Sequence, residues 1–240
     1  AENGPLQVIR EEGRRFATVL ANVSGRDLVG FVDEAKKVVS QTVKTPTGYA
    51  YEWGGQFENQ QRASKRLALV VPIALAIIFL LLYFTFNSAL QATLVFCNVP
   101  FAVIGGILAL KLSGEFLSVP ASVGFIALIG IAVLNGVVLI SYINGLLAEG
   151  NRTIREAVVE GARRRLRPVI LTATIAAFGL IPFLFATGPG AEIQKPLAIV
   201  VIGGLISATT LTLVLLPILY YYSANWHVYM HRFMRRKADA

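Results

Sequence analysis

Charge is what this chain withholds. Residues 67–86, 89–110, 119–147, 168–187 and 197–222 contain not one Asp, Glu, Lys or Arg. Over all 240 residues only 15% are charged and 55% are hydrophobic, where a soluble domain carries about 25% charged residues. That balance excludes an ordinary soluble fold. Cysteine is nearly absent too. Cys97 stands alone inside the second apolar stretch, which excludes a disulfide framework and leaves the redox compartment open. The sequence offers no Ser/His/Asp set, no phosphate-binding glycine loop and no paired catalytic carboxylate, so an enzyme has no residues to rest on and no cofactor is implied. There is neither an initiating Met nor a signal peptide. An exported segment needs a preceding export signal, so the chain is expected to be a fragment of a longer one.

What is present is length. Each apolar stretch can cross a hydrocarbon core of ~30 Å as a helix, which takes roughly 20 residues. The expectation is a five-span membrane bundle over 67–222, in contact with lipid. The net charge of +8 does not point to nucleic acid, because the basic residues sit where membrane topology wants them. Six arginines, Arg152, Arg155, Arg163, Arg164, Arg165 and Arg167, crowd the connection 148–167, and Arg232, Arg235, Arg236 and Lys237 follow in a basic tail, 223–240. The opposite connections carry Lys111 and Lys195 alone. The positive-inside rule then makes the arginine-rich connection and the C-terminus cytoplasmic and the N-terminal segment periplasmic.

Residues 1–58 read as a small α+β unit. Leu6–Arg10 and Arg15–Val23 have the period of strands around a Glu12-Gly13 turn. Leu28, Phe31, Val32, Ala35, Val38 and Val39 form one helical stripe. Pro46-Thr47-Gly48 is turn chemistry, and Tyr49–Trp53 reads as a third strand. Fewer than 60 residues make a thin core, so the tail end of a larger domain is expected, joined to the first span by a linker, 59–66. Thr153 and Glu156 match a capping box, which predicts an amphipathic surface helix or a solvated connector before the fourth span. Small residues recur at packing distance: Gly203 with Ser207, Gly204 with Ala208, Gly105 with Ala109. Pro72, Pro100, Pro182 and Pro217 are positions where helices can kink or start.

Several stretches have wording that resembles a known family. They are Gly25-Arg26-Asp27-Leu28, Tyr51 to Asn59 (YEWGGQFEN), Ala132-Val133-Leu134-Asn135-Gly136, Arg163 to Pro168 (RRRLRP) and Pro196 to Gly204 (PLAIVVIGG). Together they resemble the heavy-metal efflux branch of the resistance-nodulation-division (RND) permeases, of cobalt–zinc–cadmium type, in the AcrB/AcrD/AcrF superfamily. The resemblance covers the chain to about Tyr222. It implies the end of a periplasmic porter subdomain followed by spans eight to twelve of a twelve-span inner-membrane permease. It also implies proton-for-metal exchange, a homotrimer, a periplasmic adaptor, an outer-membrane channel, and an N-terminal remainder holding the acidic residues of the proton relay.

The resemblance singles out Arg165 and Thr172 as proton-relay partners, because an arginine can respond to carboxylate protonation on another span. The plainer alternative makes Arg165 a positive-inside anchor and has Thr172 bond its own helix. Asn135 sits mid-span beside Leu134, which is lysine in the drug branch and glutamate in the copper/silver branch. That departure leaves Asn135 as a relay candidate or as interhelical hydrogen-bond glue. The only methionines are Met230 and Met234 in the tail, and copper and silver favour thioether ligands, so zinc, cobalt, cadmium or nickel is the expected cargo. His227 and His231 lack a third ligand nearby and read as solvated tail residues, leaving no metal site. Glu52 and Glu58 flank Trp53-Gly54-Gly55 either as cation-attracting groups or as a polar junction near the membrane interface. The alternatives are a drug or lipid exporter of the same superfamily, or a non-transporting membrane scaffold or split-gene remnant.

Overall fold

The computed structural model describes residues 9–11, 14–23, 26, 28–46, 48–188 and 190–238, the backbone alone for 9–11, 14–16 and 226–238. The chain forms two compact units, Ala1–Glu52 and Trp53–Ala240.

In the first unit, β1 (Ile9–Glu11) and β2 (Arg14–Phe16) pair antiparallel, with Ile9 opposite Phe16 and Glu11 opposite Arg14. The expected Glu12-Gly13 turn and Asp27 lie outside the described residues. The second strand is much shorter than the alternation to Val23 suggests. Alternation records which side chains could share a face, but a strand also needs a neighbour for its backbone groups. Val19 and Leu20 are 93% and 89% exposed. The third strand, Tyr49–Trp53, does not form, for the same want of a pairing partner among the described residues. Of the turn before it, Thr47 lies outside the described residues, but the flanks are joined. Tyr49 N–H donates to the Pro46 carbonyl at 3.1 Å, and Gly48 takes a positive φ of 95° that suits glycine. Helix α1 (Leu28–Thr42) follows the predicted stripe, with Val32 its buried residue.

The second unit is helical. Among the described residues, five helical segments are long and apolar enough to cross a membrane: Gln56–Phe86, Ala89–Ser113, Val119–Ala148, Ile154–Leu184 and Ala191–Asn225. Helix α2 (Gln56–Phe86) starts at Gln56, well before the span expected from residue 67, so the 59–66 linker is helix. Glu58 sits in its first turn, where the helix dipole favours a carboxylate, and pairs with Arg62 one turn on at 2.5 Å. Asn87 ends α2 in the left-handed region (φ 48°) that asparagine tolerates, and Ser88 caps the next helix.

The second span is two helices, α3 (Ala89–Phe96) and α4 (Asn98–Ser113). Pro100 has no N–H to give the Phe96 carbonyl, so the ladder lapses there. Cys97 keeps helical dihedrals, and the interruption is one residue wide. Gly114 (φ 73°) closes α4 and Ser118 caps α5 (Val119–Ala148).

Helix α6 (Ile154–Leu184) corrects the expectation of a separate surface helix. It opens on the capping box, with Thr153 N–H donating to Glu156 Oε2 at 2.9 Å and Glu156 N–H to Thr153 Oγ1 at 3.3 Å. It then runs unbroken through Pro168. An unbroken proline frees one carbonyl, whereas a break would free about four groups on each side. Helix α7 (Ala191–Ala238) likewise continues through Pro196 and Pro217.

Helices α4, α5 and α7 form the centre. Gly105 leaves room for Ser207, Gly203 for Ala109, and Gly204 for Leu128, each a place where an added Cβ would lie 2.1 Å or less from its neighbour. The predicted small-residue pairs thus form a seam in which α4 and α7 run antiparallel, and Ser207 Oγ reaches the Phe101 carbonyl at 3.1 Å across it. One apolar cluster holds Ala102, Leu128, Val200 and Leu205. A second, at the other end, holds Val95, Leu139, Ile143 and Leu216. Only 6% of the most apolar stretch of α2, and 6% of that of α6, is buried, against 50% for α5. Lys195 pairs with Glu115 at 2.9 Å, tying the start of α7 to the α4–α5 connection.

Candidate functional site

The arginine-rich connection becomes a structured place because the capping box fixes where α6 starts. Counting from there, Arg164 and Arg165 face the last turns of α5. The Arg165 guanidinium carbon lies 4.6 Å from the centroid of the Tyr142 ring, within the range of a cation–π contact. Arg164 Nη1 donates to the Tyr142 hydroxyl at 3.3 Å and its Nε pairs with Glu160. Tyr142 therefore meets one arginine on its face and another at its hydroxyl.

These groups border an open cleft of about 360 Å³ whose charged lining is Arg152, Arg164, Arg165 and Glu149. Glu149 approaches Arg152 at 3.6 Å. Arg165 Nε and Arg152 Nη1 are buried without a hydrogen-bond partner. Arg164 is already paired with Glu160 and Arg152 has Glu149 beside it, so Arg165 is the cation of the cleft without an acidic partner, and its spare donor favours a carboxylate or another anion.

The other candidates are placed differently. Thr172 Oγ1 donates to the carbonyl of Val169 at 3.0 Å, in its own helix. Asn135 is 8% exposed on α5 and its Nδ2 has no partner, so no bond of that amide to another helix is seen. Its neighbour Leu134 is 61% exposed. The structure brings no two of Asn135, Arg165 and Thr172 into hydrogen-bond contact. Glu58 is taken up by Arg62, and Glu52 is exposed at the end of the first unit. Among the described residues no three His, Cys, Asp or Glu come together as a metal site. The side chains of His227 and His231 lie outside the described residues.

Sequence reasoning missed two features. Tyr142 is one. The other is a polar knot between helices: Asn144 Nδ2 donates to Gln91 Oε1 at 2.9 Å, and the Tyr220 hydroxyl donates to Asn144 Oδ1 at 2.6 Å. A signal existed, because Gln91, Asn98, Asn135 and Asn144 are the only side-chain amides in the five apolar stretches.

Comparison with known proteins decides the lineage. Residues 1–224 match the AcrB/AcrD/AcrF family. The chain belongs to that family. This AcrB/AcrD/AcrF chain is 52% identical over 217 residues to the cobalt-zinc-cadmium resistance protein CzcA of Cupriavidus metallidurans, covering 90% of this chain and 20% of that protein. It is 52% identical over 214 residues to the nickel-cobalt-cadmium resistance protein NccA of Alcaligenes xylosoxydans xylosoxydans, covering 89% and 20%. Identity to the cation efflux system protein CusA of Escherichia coli K12 is 35% over 244 residues, covering 98% and 23%. A crystal structure of a heavy metal efflux pump superposes with a TM-score of 0.71 at 51% identity, covering 84% of this chain and 20% of that one. The chain spans about a fifth of the length of the relatives it matches. It is a multi-pass membrane chain of this family.

Proposed function

We propose that this chain is part of a proton-driven RND permease that exports divalent heavy-metal cations, with zinc, cobalt, cadmium or nickel ahead of copper or silver. The observation that carries the reading is the step in identity, from 52% with relatives named for cobalt, zinc, cadmium and nickel resistance to 35% with the cation efflux protein CusA. Placement in the bacterial inner membrane, with the arginine-rich connection and the C-terminus cytoplasmic, follows from the positive-inside rule. Residues 1–58 are then the end of a periplasmic porter subdomain. A homotrimer with a periplasmic adaptor and an outer-membrane channel is the assembly this implies.

In that reading Arg165 is the cationic side of the proton relay. A guanidinium stays charged at any working pH, so Arg165 does not carry the proton. It stabilises a carboxylate brought against it from elsewhere in the permease, and protonation of that carboxylate dissolves the attraction. The buried, unpartnered Nε and the Tyr142 ring that holds the side chain support this role. Thr172, bonded to its own helix, is the weaker relay candidate, and Asn135 acts as helix glue or as a second relay member. Glu52 and Glu58 serve as cation-attracting groups only if Glu58 leaves Arg62.

The test is metal tolerance of cells carrying the complete permease. Growth in zinc or cobalt should fall to the level of cells lacking the permease for Arg165→Ala and recover only partly for Arg165→Lys. Protection against dyes and detergents instead of metals would make this a drug or lipid exporter. Unchanged tolerance on loss of the whole permease would make it a scaffold.

A further inference from the structure

Four polar side chains lie buried between the two apolar clusters of the bundle, and none has found a partner. Asn98 on α4, Asn135 on α5, and Thr209 and Thr212 on α7 are 3%, 8%, 9% and 0% exposed. The Nδ2 of each asparagine and the Oγ1 of each threonine lack a hydrogen bond. Other helical threonines in this chain do not behave so: Thr85, Thr93, Thr174 and Thr210 each donate to the carbonyl four residues back.

The helix register brings these groups to one level. Ser207 meets Phe101 across the antiparallel α4–α7 seam, so one turn further Asn98 comes level with Thr210 and Leu211, within the turn of α7 bounded by Thr209 and Thr212. Gly136 supplies the third wall. A Cβ there would lie 3.0 Å from Asn98 Nδ2 and 3.5 Å from Leu216 Cδ1, one turn beyond Thr212. The layer falls between the cluster around Leu128 and Leu205 and the cluster around Leu139 and Leu216.

A buried hydroxyl or amide with no partner is costly in an apolar interior. Four in one layer is a pattern that ordered internal water resolves, since such a water makes about three bonds to otherwise unsatisfied groups. We infer that the junction of α4, α5 and α7 is an internal hydration site, with water accepting from Asn98 Nδ2 and bonding Thr212 Oγ1, and with Asn135 and Thr209 completing the layer. The site is built wholly within this chain and does not rest on the export reading. Its consequence is that α4, α5 and α7 move as one body, cross-linked at mid-height by water.

The sign of a substitution tests this in the complete permease. Thr212→Val removes only the hydroxyl. If water bonds that hydroxyl, Thr212→Val lowers the thermal melting midpoint, and adding Asn98→Ala costs less than the two single losses combined, because both lose the same bridge. If the hydroxyl is a true orphan, Thr212→Val raises the midpoint or leaves it unchanged, which overturns the inference. A density map that resolves water decides the case where a variant fails to assemble. A peak within hydrogen-bond reach of both Asn98 and Thr212 upholds the site. An empty junction, or Asn98 bonded directly to Thr212, refutes it.

Discussion

The Tyr220 hydroxyl donates to Asn144 Oδ1 at 2.6 Å, joining α7 to α5, and the other end of the same amide donates to Gln91 on α3. One amide thus fastens three helices near the arginine-rich end of the bundle. Tyr220→Phe removes one donor while keeping the ring, which is 4% exposed in the apolar cluster. The expected loss is about 1 kcal/mol of stability. A double-mutant cycle with Asn144→Leu, read by thermal or denaturant melting, should give non-additive effects. Additive ones would mean the bond contributes nothing.

The α4–α7 seam predicts a steep contrast among glycines. At Gly204 an added Cβ would lie 2.0 Å from Leu128 Cδ2 and 2.9 Å from the Ala102 carbonyl, whereas at Gly130 it meets nothing within 4 Å. Gly204→Ala should cost about 1–3 kcal/mol through overpacking against a backbone atom that cannot step aside. Gly130→Ala should be neutral or slightly stabilising, since alanine is the better helix former. Melting midpoints of the two variants side by side check this.

The capping box makes a local prediction. Thr153→Ala frees the start of α6 and should cost about 1 kcal/mol. Hydrogen exchange should quicken in the first turn, at Glu156 and Ala157, and remain slow beyond Pro168. Uniformly faster exchange along α6 would show that the cap holds more than its own end.

What the sequence made legible was whatever depends on neighbours in the chain. The five spans follow from apolar runs, the start of α6 from Thr153 and Glu156, and the close seam from the spacing of Gly203, Ser207, Gly105 and Ala109. What stayed hidden depends on distant partners. The reading of Tyr49–Trp53 as a strand could not say whether anything would pair with it. The fourth span is expected to start only after Arg167, because charge marks where a helix can enter lipid and not where the helix itself begins. Asn144 stands 53 residues from Gln91 and 76 from Tyr220, so no local pattern could link them. In the candidate site Arg165 was named from a motif, but the Tyr142 ring that orients it lies on another helix.

Tyr142 offers a check on that orientation. Tyr142→Leu keeps an apolar wall but removes the aromatic face and the hydroxyl that Arg164 uses. Transport by the complete permease should weaken, while Tyr142→Phe, which keeps the ring, should stay closer to wild type. Equal losses in the two variants would assign the role to the hydroxyl and Arg164 instead.

The most direct test places the purified complete permease in proteoliposomes and follows metal-driven proton movement with a pH-sensitive dye. Zinc or cobalt should drive proton flux, and Arg165→Ala should lower it by about tenfold or more, a barrier change of about 1.4 kcal/mol or above. The exposed neighbour variant Arg163→Ala should leave it intact. Full flux in Arg165→Ala, or no metal-dependent flux in the unaltered permease, would contradict the account.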